Sequence, residues 1–445
     1  MTAPRSVAAQ RVHLGGPPRP ATIHLEGGRI AAIEEFDGGA DVVLPPEHVL
    51  LPGLVDSHVH LDEPGRTEWE GFATGTAAAA AGGVTTVVDM PLNSVPVTTT
   101  PDALAAKRAA TAGKLAVDVA YWGGAVPENL GALRELAAAG VVGFKCFLAP
   151  SGIDEFGHLE PAQLEAALTE IAGFDGLLIV HAEDPGHLHP GGPLGVRYSD
   201  FLASRPPASE AVAVAGVIEA ARRTGARAHV VHLSDGGTLP AVRAARAEGV
   251  RLTVETCPHY LTLRAEDVPD ASPAFKCCPP IRDQANQDLL WEGVLDGTID
   301  AVVSDHSPST LALKEQGGGD LGLAWGGISG VQTGLSALWT QARVRGVALE
   351  DLLPLLTTGP ARIAGLEAAG RIAVGAPAHL VAFAPETRWE VDAATLEYRT
   401  KLSPWHGQVL DGVVEQTWVH GVPVWRRGDG VLARAGREIL AGGTA

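Results

Sequence analysis

Residues 50–63 read L-L-P-G-L-V-D-S-H-V-H-L-D-E, an apolar run that closes on a cluster of ligand-type side chains. Successive side chains of a strand alternate faces, so a strand through this stretch presents His58 and His60 on the same side. Two imidazoles at the end of a buried strand can share one metal ion. A lone His-x-His carries little weight, and the context supplies the rest. From residue 50 to about residue 305 the chain repeats one phrase: an apolar run, a polar loop, then an Ala/Leu/Glu/Arg-rich stretch. The runs at 51–57, 84–90, 117–122, 141–147, 177–181, 228–232, 251–256 and 301–305 read as strands. Those at 101–112, 129–139, 161–171, 209–223 and 239–248 read as helices. Eight such alternations predict an α/β fold, a closed parallel (β/α)8 TIM barrel. The competing arrangement is a doubly wound open sheet, which the lack of a glycine fingerprint after the first strand disfavours.

The flanks differ in character. Residues 1–50 hold short alternating pieces at 21–25 and 28–33, and residues 370–445 hold more at 370–374, 379–384, 413–419 and 422–426. Strands at both ends of a barrel most simply pair with each other. The expected organisation is therefore a barrel over 51–369 and one small β-sandwich domain made from 1–50 and 370–445.

At 445 residues and 46% hydrophobic, the chain can bury a large core. A formal charge of −19, with the acidic residues scattered, argues against nucleic acid or an anionic membrane as partner. The four cysteines, Cys146, Cys257, Cys277 and Cys278, lack zinc-finger spacing, and three lie in or beside apolar runs, which fits reduced thiols in the cytoplasm. No apolar stretch approaches the ~18 residues of a membrane span, and the N-terminus shows no signal-peptide core.

Chemistry-bearing residues fall at the C-terminal ends of the expected strands, where barrel enzymes hold their sites. They are His58 and His60, Lys145 in G-F-K-C-F, His181 in L-I-V-H-A-E-D, His232 in V-V-H-L-S-D and Asp305 in V-V-S-D-H-S-P. Each has an ordinary alternative: a satisfied core histidine, a snorkelling lysine, an aspartate N-cap. Their coincidence at one barrel mouth is what points to a metal-dependent enzyme. Lys145 needs its own argument, because an ammonium repels a metal. Flanked by Phe144, Cys146 and Phe147, its amine should lose its proton readily. The neutral amine can add carbon dioxide to give a carbamate, an anionic bridge between two ions. His187 and His189 repeat the His-x-His spacing in a Pro/Gly loop with no strand before it and read as surface. His229 should face away from His232, and His306 away from Asp305. His259 reads equally as support for the site or as structure.

These residues resemble those of the cyclic amidohydrolases, the family of dihydroorotases, hydantoinases and allantoinases, from about residue 25 to residue 425. The phrases H-V-H-L-D-E-P-G-R-T-E-W-E-G-F (58–72), D-M-P-L-N-S-V-P-V-T (89–98), F-K-C-F-L-A-P-S-G-I-D-E-F (144–156), K-C-C-P-P-I-R-D (276–283) and A-W-G-G-I-S-G (324–330) resemble the allantoinase branch. The resemblance implies hydrolytic opening of the hydantoin ring of allantoin to allantoate. It implies one metal held by His58, His60 and Asp305, a second held by His181 and His232, and N6-carboxylated Lys145 bridging them. Asp305 would serve as the proton carrier. The ions would be zinc, with cobalt, manganese or iron also compatible, and the assembly a homotetramer. Asp62 stands where dihydroorotases carry the arginine that binds substrate carboxylate, and its charge should repel that substrate. Asp62, Asn93, Ser151, Cys278 and Gly327 are the substrate contacts expected by position, Cys278 through its backbone. The chain departs from the family at 376–380, A-P-A-H-L in place of an Asp-rich phrase, which touches only local structure. A hydantoinase or dihydropyrimidinase with the same machinery is the alternative reading. A non-catalytic scaffold is a further alternative.

Overall fold

The computed structural model describes residues 3–189 and 191–442. Its centre is a succession of parallel strands: β1 (Leu54–Val59), β2 (Val84–Asp89), β3 (Asp118–Tyr121, continued after Trp122 by Gly123–Gly124), β4 (Phe144–Phe147), β5 (Leu177–His181), β6 (Arg227–Val230), β7 (Leu252–Thr256) and β8 (Ala301–Val302). Each pairs in parallel with the next. Just beyond β8, His306 bridges in parallel to Val59 of β1, and His60 N donates to His306 O at 2.8 Å. The order of pairing thus returns to its starting strand. Strands β1, β2, β3, β4 and β5 are buried along their length. Parallel strands covered on both faces need apolar side chains throughout, which is why they appear in the sequence as continuous apolar runs.

The run at 51–57 divides at Gly53. Val49–Pro52 pairs antiparallel with Leu380–Glu390, while β1 pairs with β2. Pro52 has no N–H to give to a ladder, and Gly53 N turns instead to His379 O at 3.0 Å. A Cβ on Gly53 would lie 2.1 Å from Thr85 Oγ1, so only glycine fits where the chain passes between the two sheets.

Strands from both ends of the chain build one mixed sheet of nine strands. Its path runs Gly430–Val431, Val422–Arg426, Val409–Val419, Leu380–Glu390, Val49–Pro52, Ser6–Val12, Arg19–Glu26, Arg29–Glu34, with Val42–Val43 paired to Ser6–Val12. The piece at 370–374 is not a strand. Gly370 has φ +72, and its Cβ position lies 2.7 Å from the Thr357 carbonyl carbon, while Ala376 N turns back to Ala373 O. Ile372 nonetheless buries its side chain in the core of this sheet.

The helices lie where expected, with one interruption. Pro101–Ala110 starts with Thr100, whose side chain accepts from Ala103 N, has proline in its first turn, and ends with Lys107 and Arg108 in its last turn. The stretch 129–139 gives a 3-10 turn (Pro127–Asn129) and a short helix (Leu133–Ala138) because Gly131, at φ +94, breaks it. Among the described residues no helix is long and apolar enough to cross a membrane.

Candidate active site

Two strands end early, and both departures serve the site. After β6 and β8 the backbone turns into the left-handed region, at His232 (φ +39) and Asp305 (φ +43). Non-glycine residues rarely adopt such conformations outside sites that the surroundings over-determine. Asp56 of β1 helps to impose the second. One of its oxygens accepts from His58 N and the other from Ser304 N, both at 3.0 Å, tying the end of β1 to the segment after β8.

His58 and His60 share a face, as the alternation requires. His58 Nδ1 lies 2.6 Å from Glu255 Oε1, which leaves Nε2 3.1 Å from Asp305 Oδ1. His60 Nδ1 faces Leu92 O at 3.1 Å, and its Nε2 is 3.8 Å from the same Asp305 oxygen. His58, His60 and Asp305 offer ligand atoms all within 4.8 Å of one another. Opposite them, His181 Nδ1 and His232 Nε2 stand 2.9 Å apart, while His181 Nε2 is fixed on Glu183 Oε2 at 2.8 Å. Each of these rings is buried, and burial pushes His60 and His232 well below the ordinary histidine range and His181 below it too. Neutral imidazoles with one nitrogen anchored and the other free are the form that binds a metal.

Lys145 is 1% exposed, its ammonium 4.9 Å from the Phe147 ring. Burial lowers it to about 8, against the opposing pull of Asp305 and Glu255. Asp305 is itself pushed up by burial, with His58 and Lys145 pulling the other way. A buried lysine, four imidazoles and a carboxylate around one space are a poor structural core. His232 Nδ1 has no hydrogen-bond partner at all, and buried polar groups rarely stay unpaired. The donor set, nitrogen and carboxylate oxygen with rigid outer partners, fits divalent cations.

His58, His60, Lys145, His181, His232 and Asp305 line one cavity of about 410 Å³. Asn93, Ser151, Cys278 and Gly327 line it as well. Asp62 does not. It is 1% exposed, at φ +61, and its Oδ1 accepts from Asn93 Nδ2 at 3.2 Å. Burial pushes its carboxyl well above the usual range, which weakens the charge repulsion expected of it. Its contact with the cavity is indirect, through the orientation of Asn93. Ser151 Oγ donates to Phe156 O at 2.6 Å and accepts from Ile153 N at 3.5 Å, which ties it to its own loop beside the cavity. Gly327 is at φ +115, and a Cβ there would lie 2.1 Å from Ser307 O.

Four residues, Glu183, Arg205, Glu255 and Lys276, were not picked out from the sequence. Glu255 joins His58 to His229, which lies 3.0 Å from its other oxygen, so His229, though turned from His232, supports the site from beneath. Arg205 pairs with Glu183 and lines the cavity. Burial alone would raise Glu183, but Arg205 and His181 hold it down at about 2. Lys276, within a quoted phrase but given no role, also lines the cavity, donating to Ala324 O at 2.5 Å. The signals for the two glutamates were present: Glu183 is two residues beyond His181, and Glu255 is a carboxylate inside an apolar strand. His187 is exposed beside Asp184, and His306 lies 3.3 Å from Glu70 Oε2, away from the cavity. His259 is buried with neither ring nitrogen bonded.

Eight strands paired in parallel in chain order, with this cluster at their ends, define a class of protein. The amidohydrolase family model matches residues 49–424, and the chain belongs to that family. Within it the chain is 52% identical over 419 residues to the allantoinase of Streptomyces avermitilis, covering 92% of this chain and 93% of that one. It is 42% identical to the allantoinase of Arabidopsis thaliana (94% and 88% covered) and 41% to that of Saccharomyces cerevisiae (96% of each). Among solved structures it resembles the L-hydantoinase (dihydropyrimidinase) of Arthrobacter aurescens, with a TM-score of 0.92, 28% identity, and 99% and 100% of the chains covered.

Proposed function

We propose that this chain opens the hydantoin ring of allantoin by hydrolysis, giving allantoate. It is a hydrolase of carbon–nitrogen bonds in cyclic amides. The observation that carries the reading is the convergence of four imidazoles, Lys145 and Asp305 on one cavity, in a chain whose full-length relatives are allantoinases. The eight paired strands are read as a closed (β/α)8 barrel over 51–369, and the sheet from 1–50 and 370–445 as a small β-sandwich domain. His58, His60 and Asp305 would hold one divalent ion and His181 and His232 a second, with Lys145, carboxylated on its Nζ, between them. Zinc suits the donor set best, and cobalt, manganese or iron would also be accepted. Bound there, the ions would supply Lewis acidity and an activated water.

The chain's own residues do the rest. Asp305 takes the proton from the attacking water and returns it to the departing ring nitrogen, a base that becomes an acid. Glu255, Leu92 O and Glu183 fix the rings of His58, His60 and His181, so the free nitrogens stay aimed during turnover. Asn93, Ser151, and the backbone at Cys278 and Gly327 face the substrate and supply hydrogen bonds to its ureido and imide groups. Discrimination against dihydroorotate rests on the missing cation at position 62. The free state of all four cysteines supports a reducing, cytoplasmic setting, and the family resemblance supports a homotetramer.

The hydantoinase reading has one specific support, the likeness to L-hydantoinase across the whole chain. Ring opening of allantoin, hydantoin, dihydrouracil and dihydroorotate, followed on one metal-loaded preparation, separates the two. The expected result is a kcat/KM for allantoin at least tenfold above the others. A higher value for hydantoin or dihydrouracil would reassign the substrate.

A further inference from the structure

A second cluster lies at the opposite end of the parallel strands. Asp118 opens β3, at the N-terminal end of the strand, whereas the residues of the candidate active site sit at C-terminal ends. His379 immediately precedes Leu380–Glu390, and His420 occupies the turn between Val409–Val419 and Val422–Arg426, at φ +50. The three offer ligand atoms all within 4.8 Å of one another. His420 Nε2 is 2.9 Å from Asp118 Oδ1, and His379 Nε2 is 3.5 Å from Asp118 Oδ2. Donors bound tetrahedrally to zinc at its usual bond lengths stand about 3.4 Å apart, so small shifts would bring this set onto one ion. The two imidazoles meet edge to face at 4.6 Å.

The independent observation is His379. It is 3% exposed, and among the described residues its Nδ1 has no hydrogen-bond partner while its Nε2 meets only Asp118 Oδ2, at 3.5 Å. An imidazole carried into the interior with one nitrogen unpaired is costly. This one lines a cavity of about 370 Å³ together with Asp118 and His420. Asp118 is oriented from outside the cluster: its Oδ1 also accepts from Arg437 N at 2.8 Å. Such a backbone bond fixes a ligating carboxylate without competing for its second oxygen.

We propose that Asp118, His379 and His420 form a second metal site, distinct from the candidate active site, that takes a divalent transition ion of the zinc class. The fourth position faces the cavity, where Arg437 also stands, so a water or an anionic oxygen would complete the coordination. The ion would join the start of β3 to two points of the terminal sheet. Its role is therefore structural, since no residue of the candidate active site lines this cavity.

The test compares the full-length chain with His379→Ala and His420→Asn. Asparagine tolerates the left-handed backbone at 420 but is too short to keep the ligand in place. Each protein is equilibrated with zinc or cobalt, freed of excess metal, and analysed for metal per chain, for ring-opening activity and for its melting temperature. The expected result is one ion fewer per chain in each variant, activity within about twofold of wild type, and loss of part of the metal-dependent rise in melting temperature. The cobalt form should lose a corresponding set of visible bands. Equal metal content in wild type and His420→Asn would overturn the proposal. So would loss of an ion together with activity, because that ion would then belong to the catalytic cavity. Should His379→Ala fail to fold, His420→Asn decides alone.

Discussion

Asp305 is held in a left-handed conformation within 3.1 Å of His58 Nε2 and 3.8 Å of His60 Nε2, a position that makes sense for a group that both binds and carries a proton. Asp305→Asn keeps the size and one oxygen donor but cannot accept and return the proton. Turnover should fall on the order of a hundredfold or more, the scale of general acid–base catalysis, while metal content changes little. Turnover within a few-fold of wild type would assign the proton to another group. Lys145 makes a pH-dependent prediction. Its free amine, the form that can take up carbon dioxide, is scarce below its own value of about 8 and dominant above it. With an ordinary lysine the neutral fraction at pH 7 would be negligible, whereas here it is about a tenth. Reactivation of metal-free protein by zinc at a fixed concentration of dissolved carbon dioxide should therefore speed up as pH rises through about 8 and then level off. Lys145→Ala should lose one ion and most activity, with partial rescue by added short carboxylates. A rate independent of pH between 7 and 9 would remove the free amine from the assembly step.

At the scale of elements, the strand ends carried most of the readable information. His58, His60, Lys145, His181, His232 and Asp305 were visible because each closes an apolar run, and a parallel strand buried on both faces has few other reasons to end in a ligand. Glu255 was hidden because it sits inside β7, and sequence spacing does not show that β7 and β1 present side chains to one another across the interior. Asp62 was misread for a related reason. Its left-handed backbone turns the carboxylate onto Asn93, and no periodicity reports that. The stretch 370–374 failed as a strand because a positive φ at Gly370, set by contact with Thr357, overrides its alternation. Gly327 shows the same kind of constraint within the cavity wall. Gly327→Ala places a methyl 2.1 Å from Ser307 O at φ +115, a conformation that already costs an L-residue on the order of 1 kcal/mol or more. The loop must shift, so KM for the substrate should rise more than kcat falls. Unchanged KM would mean that this backbone does not face the substrate.

Across the whole molecule, the candidate site draws its side chains from β1, β4, β5 and the segments just beyond β1, β6 and β8, so it joins parts of the chain nearly 250 residues apart (His58 to Asp305 is 247 positions). The unfolded chain has no such arrangement, and binding free energy at the site is therefore folding free energy. An ion present at a thousandfold excess over its dissociation constant adds about 4 kcal/mol to stability. Removing the ions also leaves buried, mutually crowded imidazoles, an unpaired lysine and a carboxylate that no longer neutralise a cation. Metal removal by a chelator should therefore lower the melting temperature by several degrees and abolish activity, and zinc should restore both. The outer cluster at Asp118 would contribute to the same shift, so the cleaner measurement is made in His420→Asn. There the remaining metal-dependent rise belongs to the cavity alone, and it should vanish in the combination of His420→Asn with His58→Ala and His181→Ala. Persistence of the rise in that combination would show that the stabilising ion binds somewhere other than these side chains.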